Sequence, residues 1–154
     1  MTTIATDGRT IAADGQSTCN GERLNSAAVK IKTAHGSIYG MVGTAAVFDA
    51  AIQWHQTGAD PEKVPKFGDW TLLVISRARG LQWYSNDMPF SQSLPYPMAF
   101  GSGDKYALGA LAAGMTPEKA VEIATRYDIN SGGRIMVLDI AKELGIHSIK
   151  AVSA

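Results

Sequence analysis

The chain has 154 residues, enough for one domain with its own hydrophobic core. Lys plus Arg and Asp plus Glu both total 14, so the formal net charge is zero, which argues against binding to nucleic acid or an anionic membrane. A hydrophobic fraction of 45% with 18% charged residues is a globular rather than a disordered composition. Cys19 is the only cysteine, which excludes an internal disulfide or a cysteine-based metal cluster and suits the cytosol. No apolar run is long enough to span a membrane, and no basic region followed by an apolar stretch opens the chain. A soluble intracellular protein is expected.

The first predicted element begins at Thr2, directly behind Met1. Small second residues such as threonine permit removal of the initiator methionine. A processed Thr2 would then carry a hydroxyl nucleophile and a free α-amine on one residue. Such a threonine attacks a carbonyl with its own amine as the base and needs no histidine. Residues 2–6 and 9–13 are rich in Thr, Ile and Ala, and they flank Asp7-Gly8, a strong hairpin signal. Pairing Thr6 with Arg9 pairs Thr2 with Ala13 and brings Asp14 beside the N-terminus, to within about one residue for a bulge. Taken alone, Asp14-Gly15 also reads as simply the next turn.

Residues 27–33 read as a strand with Val29 and Ile31 on one face and Lys30 and Lys32 on the other. Residues 37–42 read as a second strand, ending at Gly43-Thr44. Thr44 is expected to cap a helix that runs to about Gln56 and stops at Gly58, with Val47, Phe48, Ala51 and Trp54 on its buried face. A polar loop over 60–67 leads to a hairpin, 71–76 with 81–85, around Arg79-Gly80. Residues 87–97 form a proline-containing loop. A short apolar stretch over 98–103 ends in Gly-Ser-Gly. Helices follow over 104–113 and from Thr116-Pro117-Glu118 to Tyr127; the second has a cap, a proline at its first position and an early acid. After the loop Asn130-Ser131-Gly132-Gly133, residues 135–140 read as a strand and 146–152 as another. The order suits an α+β domain of paired antiparallel sheets covered by helices.

The pattern resembles the proteasome β-subunit and the related bacterial HslV peptidase, members of the N-terminal nucleophile hydrolases. The resemblance runs from Thr2 to about Ile140. Thr2-Thr3-Ile4 is similar to the family's mature N-terminus, and Ala13-Asp14-Gly15 to its acid after the first hairpin. Lys30 matches the catalytic lysine in its spacing from that acid. Gly43-Thr44 resembles the glycine that lends its amide to the oxyanion hole. Gly101-Ser102-Gly103 is similar to the serine between glycines, and Asp128-Ile129-Asn130-Ser131-Gly132 to the Asp-x-x-Ser-Gly element, closer here to the proteasome than to HslV. This chain is shorter than typical members, with the loss expected in loops and the C-terminus. Only Met1 precedes Thr2, as in the bacterial peptidase, so the expected domain is 1–154 with Met1 removed. The implied fold is a four-layer αββα sandwich.

The resemblance implies a threonine-type endopeptidase without cofactor or metal. Thr2 Oγ1 would be the nucleophile, and its α-amine, with a reference pKa of about 7.7–8.0, the base. A Lys30 ammonium nearby would favour the neutral amine, with Asp14 as its counter-ion. The Gly43 amide would face the developing oxyanion, a donor worth roughly 10²–10³ in rate. Ser102, Asp128 and Ser131 would orient the amine and hold a proton-shuttling water. Threonine's methyl restricts χ1 and so orients the hydroxyl. Lys32 competes with Lys30 because both share a face. No carboxylate–His–Ser arrangement involves His35, His55 or His147, and Cys19 reads as an inert small residue. Ala28, Met41 and Ala45 would line the specificity pocket, leaving room for a large apolar side chain.

The implied partners are unfolded polypeptides, a homo-oligomeric hexameric or heptameric ring (possibly doubled), and a separate ATP-dependent unfoldase. Helices carrying Phe48, Trp54 and Tyr106 would supply ring contacts. Two other classes fit the same residues: a catalytically silent ring or scaffold protein, favoured by a retained Met1, and a small-molecule amidase of the wider N-terminal nucleophile group.

Overall fold

The computed structural model describes residues 2–146. The elements expected over 146–152 and the state of Met1 lie outside that range, apart from Ile146. The chain opens with strands β1 (Thr3–Thr6) and β2 (Thr10–Ala13), then a separate two-stranded hairpin, β3 (Ser17–Cys19) and β4 (Glu22–Asn25). Strands β5 (Ile31–Ala34) and β6 (Ser37–Gly43) precede helix α1 (Phe48–Gln56). Strands β7 (Trp70–Ser76), β8 (Gly80–Ser85), β9 (Gln92–Ser93) and β10 (Met98–Gly101) follow. Helices α2 (Asp104–Ala112) and α3 (Pro117–Tyr127), strand β11 (Met136–Asp139) and the short helix α4 (Ile140–Leu144) are the last elements among the described residues. The strands form a four-stranded sheet in the order β10-β1-β2-β11 and a five-stranded sheet β5-β6-β7-β8-β9, both antiparallel.

Period-two alternation along β1 and β2 explains how the four-stranded sheet is used. Ile4 and Ile11 face one way and pack with Ile31, Ile38, Leu73, Ile75 and Leu81 of the five-stranded sheet. Ala5 and Ala12 face the other way, against Ala107, Ala110 and Leu111 of α2 and Ala120, Val121 and Ala124 of α3. Alanine on both sides of that contact lets the helices lie close to the strands. The five-stranded sheet turns Tyr39, Met41, Leu72, Val74 and Tyr84 to a third cluster with Phe48, Ala51, Ile52 and Trp54 of α1. Each large apolar side chain so buried contributes about 1.5–3 kcal/mol. Phe48 and Trp54 are buried in this cluster, and Tyr106 is exposed.

Local chemistry set several boundaries away from the sequence expectation. The first hairpin pairs Thr6 with Ile11 and Ile4 with Ala13, two residues off the expected register. Asp7 is the cause: its Oδ1 accepts from the amides of both Arg9 and Thr10, at 2.9 and 3.0 Å, and widens the loop. A slip of two preserves the faces. Thr44 does not cap through its side chain; its hydroxyl donates to the Asp69 carbonyl at 3.1 Å, and a 3₁₀ turn at Ala45–Val47 precedes α1. Thr116 caps α3 as expected, accepting from Lys119 N at 3.2 Å. The strand predicted over 135–140 stops at Asp139, whose carboxylate caps α4 by accepting from Lys142 N. The strand expected over 27–33 begins only at Ile31.

Candidate active site

Thr2 is buried, 4% exposed, at the entry to β1. Next to it Thr3 pairs with Gly101 of β10. Gly101 has φ +100°, and a β-carbon there would lie 1.9 Å from the Thr2 carbonyl oxygen. Only glycine lets the two backbones meet. Ser102 follows, its Oγ 3.4 Å from the Thr2 carbonyl and 2.6 Å from Asp128 Oδ2.

Asp14 lies one residue past β2, 1% exposed, and its carboxylate gathers four donors. Oδ1 accepts from Thr3 N at 2.9 Å and Lys30 Nζ at 2.8 Å. Oδ2 accepts from Gly132 N at 3.0 Å and Gln16 N at 3.3 Å. One acid therefore ties together β1, the segment carrying Lys30 and the loop after α3. Lys30 is itself buried, and burial holds its pKa below the ordinary lysine value, opposed by the Asp14 and Asp128 carboxylates. Lys32, its competitor in the sequence, instead ion-pairs with Asp49 and sits 4.4 Å from the centre of the Phe48 ring.

Asp128 and Ser131 occupy the turn that ends α3. Asp128 Oδ2 accepts from Ser102 Oγ and Ser131 Oγ, both at 2.6 Å, while Oδ1 accepts from Asn130 N at 3.1 Å. Burial alone would raise the Asp128 pKa; the hydrogen bonds from Ser102, Ser131 and Asn130 outweigh it and leave the carboxyl below its ordinary value.

A cavity of about 300 Å³ opens on these groups, lined among others by Thr2, Lys30, Ala28, Met41, Gly43 and Ala45. The structure thus brings Thr2, Lys30, Gly43 and all three residues expected to form the pocket to one cavity. Asp14, Ser102, Asp128 and Ser131 lie behind Thr2 and Lys30 rather than in the wall. Gly43 has φ +103°, and a β-carbon there would fall 2.2 Å from the Asp69 carbonyl oxygen. The apolar wall also includes Leu24, Val29 and Phe48, and its polar rim Gln16, Ser17 and Thr18. Sequence reasoning missed Gln16, which is buried and reaches the Ile129 carbonyl through Nε2 at 3.3 Å, and Thr3, whose Oγ1 is 2.7 Å from Ser131 Oγ. The doubled threonine at 2–3 was the available signal for the second. His55 hydrogen-bonds Tyr39 at 2.8 Å away from this site, and His147 lies outside the described residues. Cys19 is an exposed free thiol. Among the described residues no group of three or more His, Cys, Asp or Glu could hold a metal ion, and no helix is long and apolar enough to cross a membrane.

No protein-family model matches this sequence, and no curated protein does. Solved structures do. BPH of Thiobacillus denitrificans in complex with epoxomicin superimposes with a TM-score of 0.67 at 20% identity, over 91% of this chain and 99% of that one. A second structure of that BPH gives a TM-score of 0.64 at 20% identity, over 90% and 97% of the two chains. This chain has the BPH fold. The mixed α/β arrangement of antiparallel sheets and helices is common to both, and the near-complete coverage leaves little of either chain outside it.

Proposed function

We propose that this protein is a proteasome-like threonine endopeptidase, with Thr2 as the nucleophile once Met1 is removed. The observation that carries this reading is the buried Asp14–Lys30 pair, 2.8 Å apart, whose lysine lines one cavity together with Thr2. A lysine ammonium there disfavours a second positive charge, so the Thr2 amine stays neutral and basic near neutral pH. That amine takes the Thr2 hydroxyl proton as Oγ1 bonds to the substrate carbonyl carbon. The Gly43 amide meets the oxyanion. The amine then returns its proton to the leaving nitrogen as the C–N bond breaks, leaving an ester on Thr2. Water, activated by the same amine, breaks that ester. Ser102, Asp128 and Ser131 orient the amine and hold the shuttling water.

The likeness to BPH, which one structure shows in complex with epoxomicin, supports the same proteasome-like reading. The three apolar clusters support a layering of α1, the five-stranded sheet, the four-stranded sheet, and α2 with α3: the αββα sandwich. Ala28, Met41 and Ala45 would receive a large apolar side chain. Unfolded polypeptides, a six- or seven-membered ring, possibly doubled, and a separate ATP-dependent unfoldase follow as partners, with the cytoplasm as compartment. Tyr106 and Tyr127, stacked 5.6 Å apart and exposed on α2 and at the end of α3, offer one face for ring contacts. A monomeric mass by light scattering would remove the ring. The decisive test of the chemistry is mass spectrometry after treatment with a peptide epoxyketone, which needs a hydroxyl and a free amine on one residue. A covalent adduct on Thr2 is expected. An unmodified chain that retains Met1 would overturn the proposal.

A further inference from the structure

Thr3 follows the proposed nucleophile and is fully buried. Its Oγ1 lies 2.7 Å from Ser131 Oγ. A β-carbon at Gly103 would fall 2.0 Å from that same Oγ1, so glycine at 103 leaves the room the hydroxyl occupies. Proton counting fixes the direction of the bond. Ser131 has one hydroxyl proton, and it goes to Asp128 Oδ2 at 2.6 Å, an acceptor-only group when ionised. Ser131 must therefore accept from Thr3. The same Oδ2 takes the Ser102 proton at 2.6 Å. The hydroxyls of Thr3 and Ser131 thus run head to tail into one carboxylate, and such aligned bonds polarise one another.

We propose that Thr3 is a positioning residue, whose hydroxyl donates to Ser131 and thereby fixes the orientation of the Ser131–Asp128 pair that serves the Thr2 amine. The catalytic part of this inference rests on the reading of Thr2 as nucleophile. Thr3→Val keeps the shape of the side chain and removes the proton donor; Thr3→Ser restores the donor without the methyl. Thr3→Val is expected to lower kcat about 3- to 10-fold with KM changed less than about twofold, and Thr3→Ser to recover most of the loss. The acidic limb of the rate profile should move upward in Thr3→Val, because a less polarised Ser131 stabilises the Asp128 carboxylate less. The Asp128 carboxyl titration, followed by carbon-13 NMR, should move the same way and needs no peptidase activity. An Asp128 midpoint unchanged in Thr3→Val overturns the proposal, whether or not the protein cuts peptides. Equal losses in Thr3→Val and Thr3→Ser overturn it too, since packing would then explain both. A midpoint that moves while no epoxyketone adduct forms on Thr2 supports the hydroxyl relay and sinks only the peptidase reading. If Thr3→Val does not fold, Thr3→Ala is read by the same two measurements.

Discussion

Removing either partner of the Asp14–Lys30 pair should destabilise the protein, but unequally. Lys30→Met leaves the Asp14 carboxylate buried, yet three backbone amides still donate to it: Thr3, Gln16 and Gly132, at 2.9–3.3 Å. The cost of breaking a buried pair is about 3–5 kcal/mol, and retained donors place this variant near or below the lower end, at roughly 2–3 kcal/mol. Asp14→Ala removes the acceptor of all three amides as well as the counter-ion. Buried donors left unsatisfied cost about 1–3 kcal/mol each, so the loss should reach roughly 4–6 kcal/mol. Lys30 adds less to this, because burial already lowers its pKa and it sheds its proton more readily once the Asp14 carboxylate is gone. Urea denaturation followed by tryptophan fluorescence, at fixed protein concentration, measures both losses. Equal losses, or a larger loss in Lys30→Met, would refute the view that Asp14 acts chiefly as a backbone junction that also holds the lysine. The double variant should lose less than the sum of the two singles.

Gly101→Ala sets a β-carbon 1.9 Å from the Thr2 carbonyl oxygen at φ +100°, so activity should vanish with a stability loss of roughly 2–4 kcal/mol, read by the same denaturation. Asp128 has a folded pKa below its ordinary value of 3.8, so its contribution is fully present above that pH and is lost as pH falls through the folded value. Asp128→Asn should therefore flatten the stability profile below about pH 4; an unchanged acid slope would contradict the assignment. A fluorogenic peptide panel should favour cleavage after Leu, Tyr or Phe over Arg or Glu, and preference for a charged residue would refute the pocket made by Ala28, Met41 and Ala45.

Much of the element order was legible because its signals are local. Asp7-Gly8 marks a turn, Thr116-Pro117-Glu118 starts a helix, and Arg79-Gly80 joins two strands, each by rules that reach only a few residues. Boundaries failed where a side chain competed for backbone groups. Asp7 widened the hairpin by capturing two amides, and Asp139 turned the end of β11 into the start of α4.

The residue types of the candidate site are written in the chain, but their meeting is not. Sequence alone supplied a hydroxyl at Thr2, an acid at Asp14, two lysines on one strand face and a serine between glycines. Which lysine turns inward was decided by packing: Lys30 met Asp14 across 16 residues, and Lys32 met Asp49 at the surface. Thr3 reaches Ser131 across 128 residues only because α3 lies on β1 and β2 and delivers its last turn to the start of the chain. Turn and strand preferences act through neighbouring dihedral angles, whereas a contact between distant segments exists only after the hydrophobic layers have chosen their facing and register.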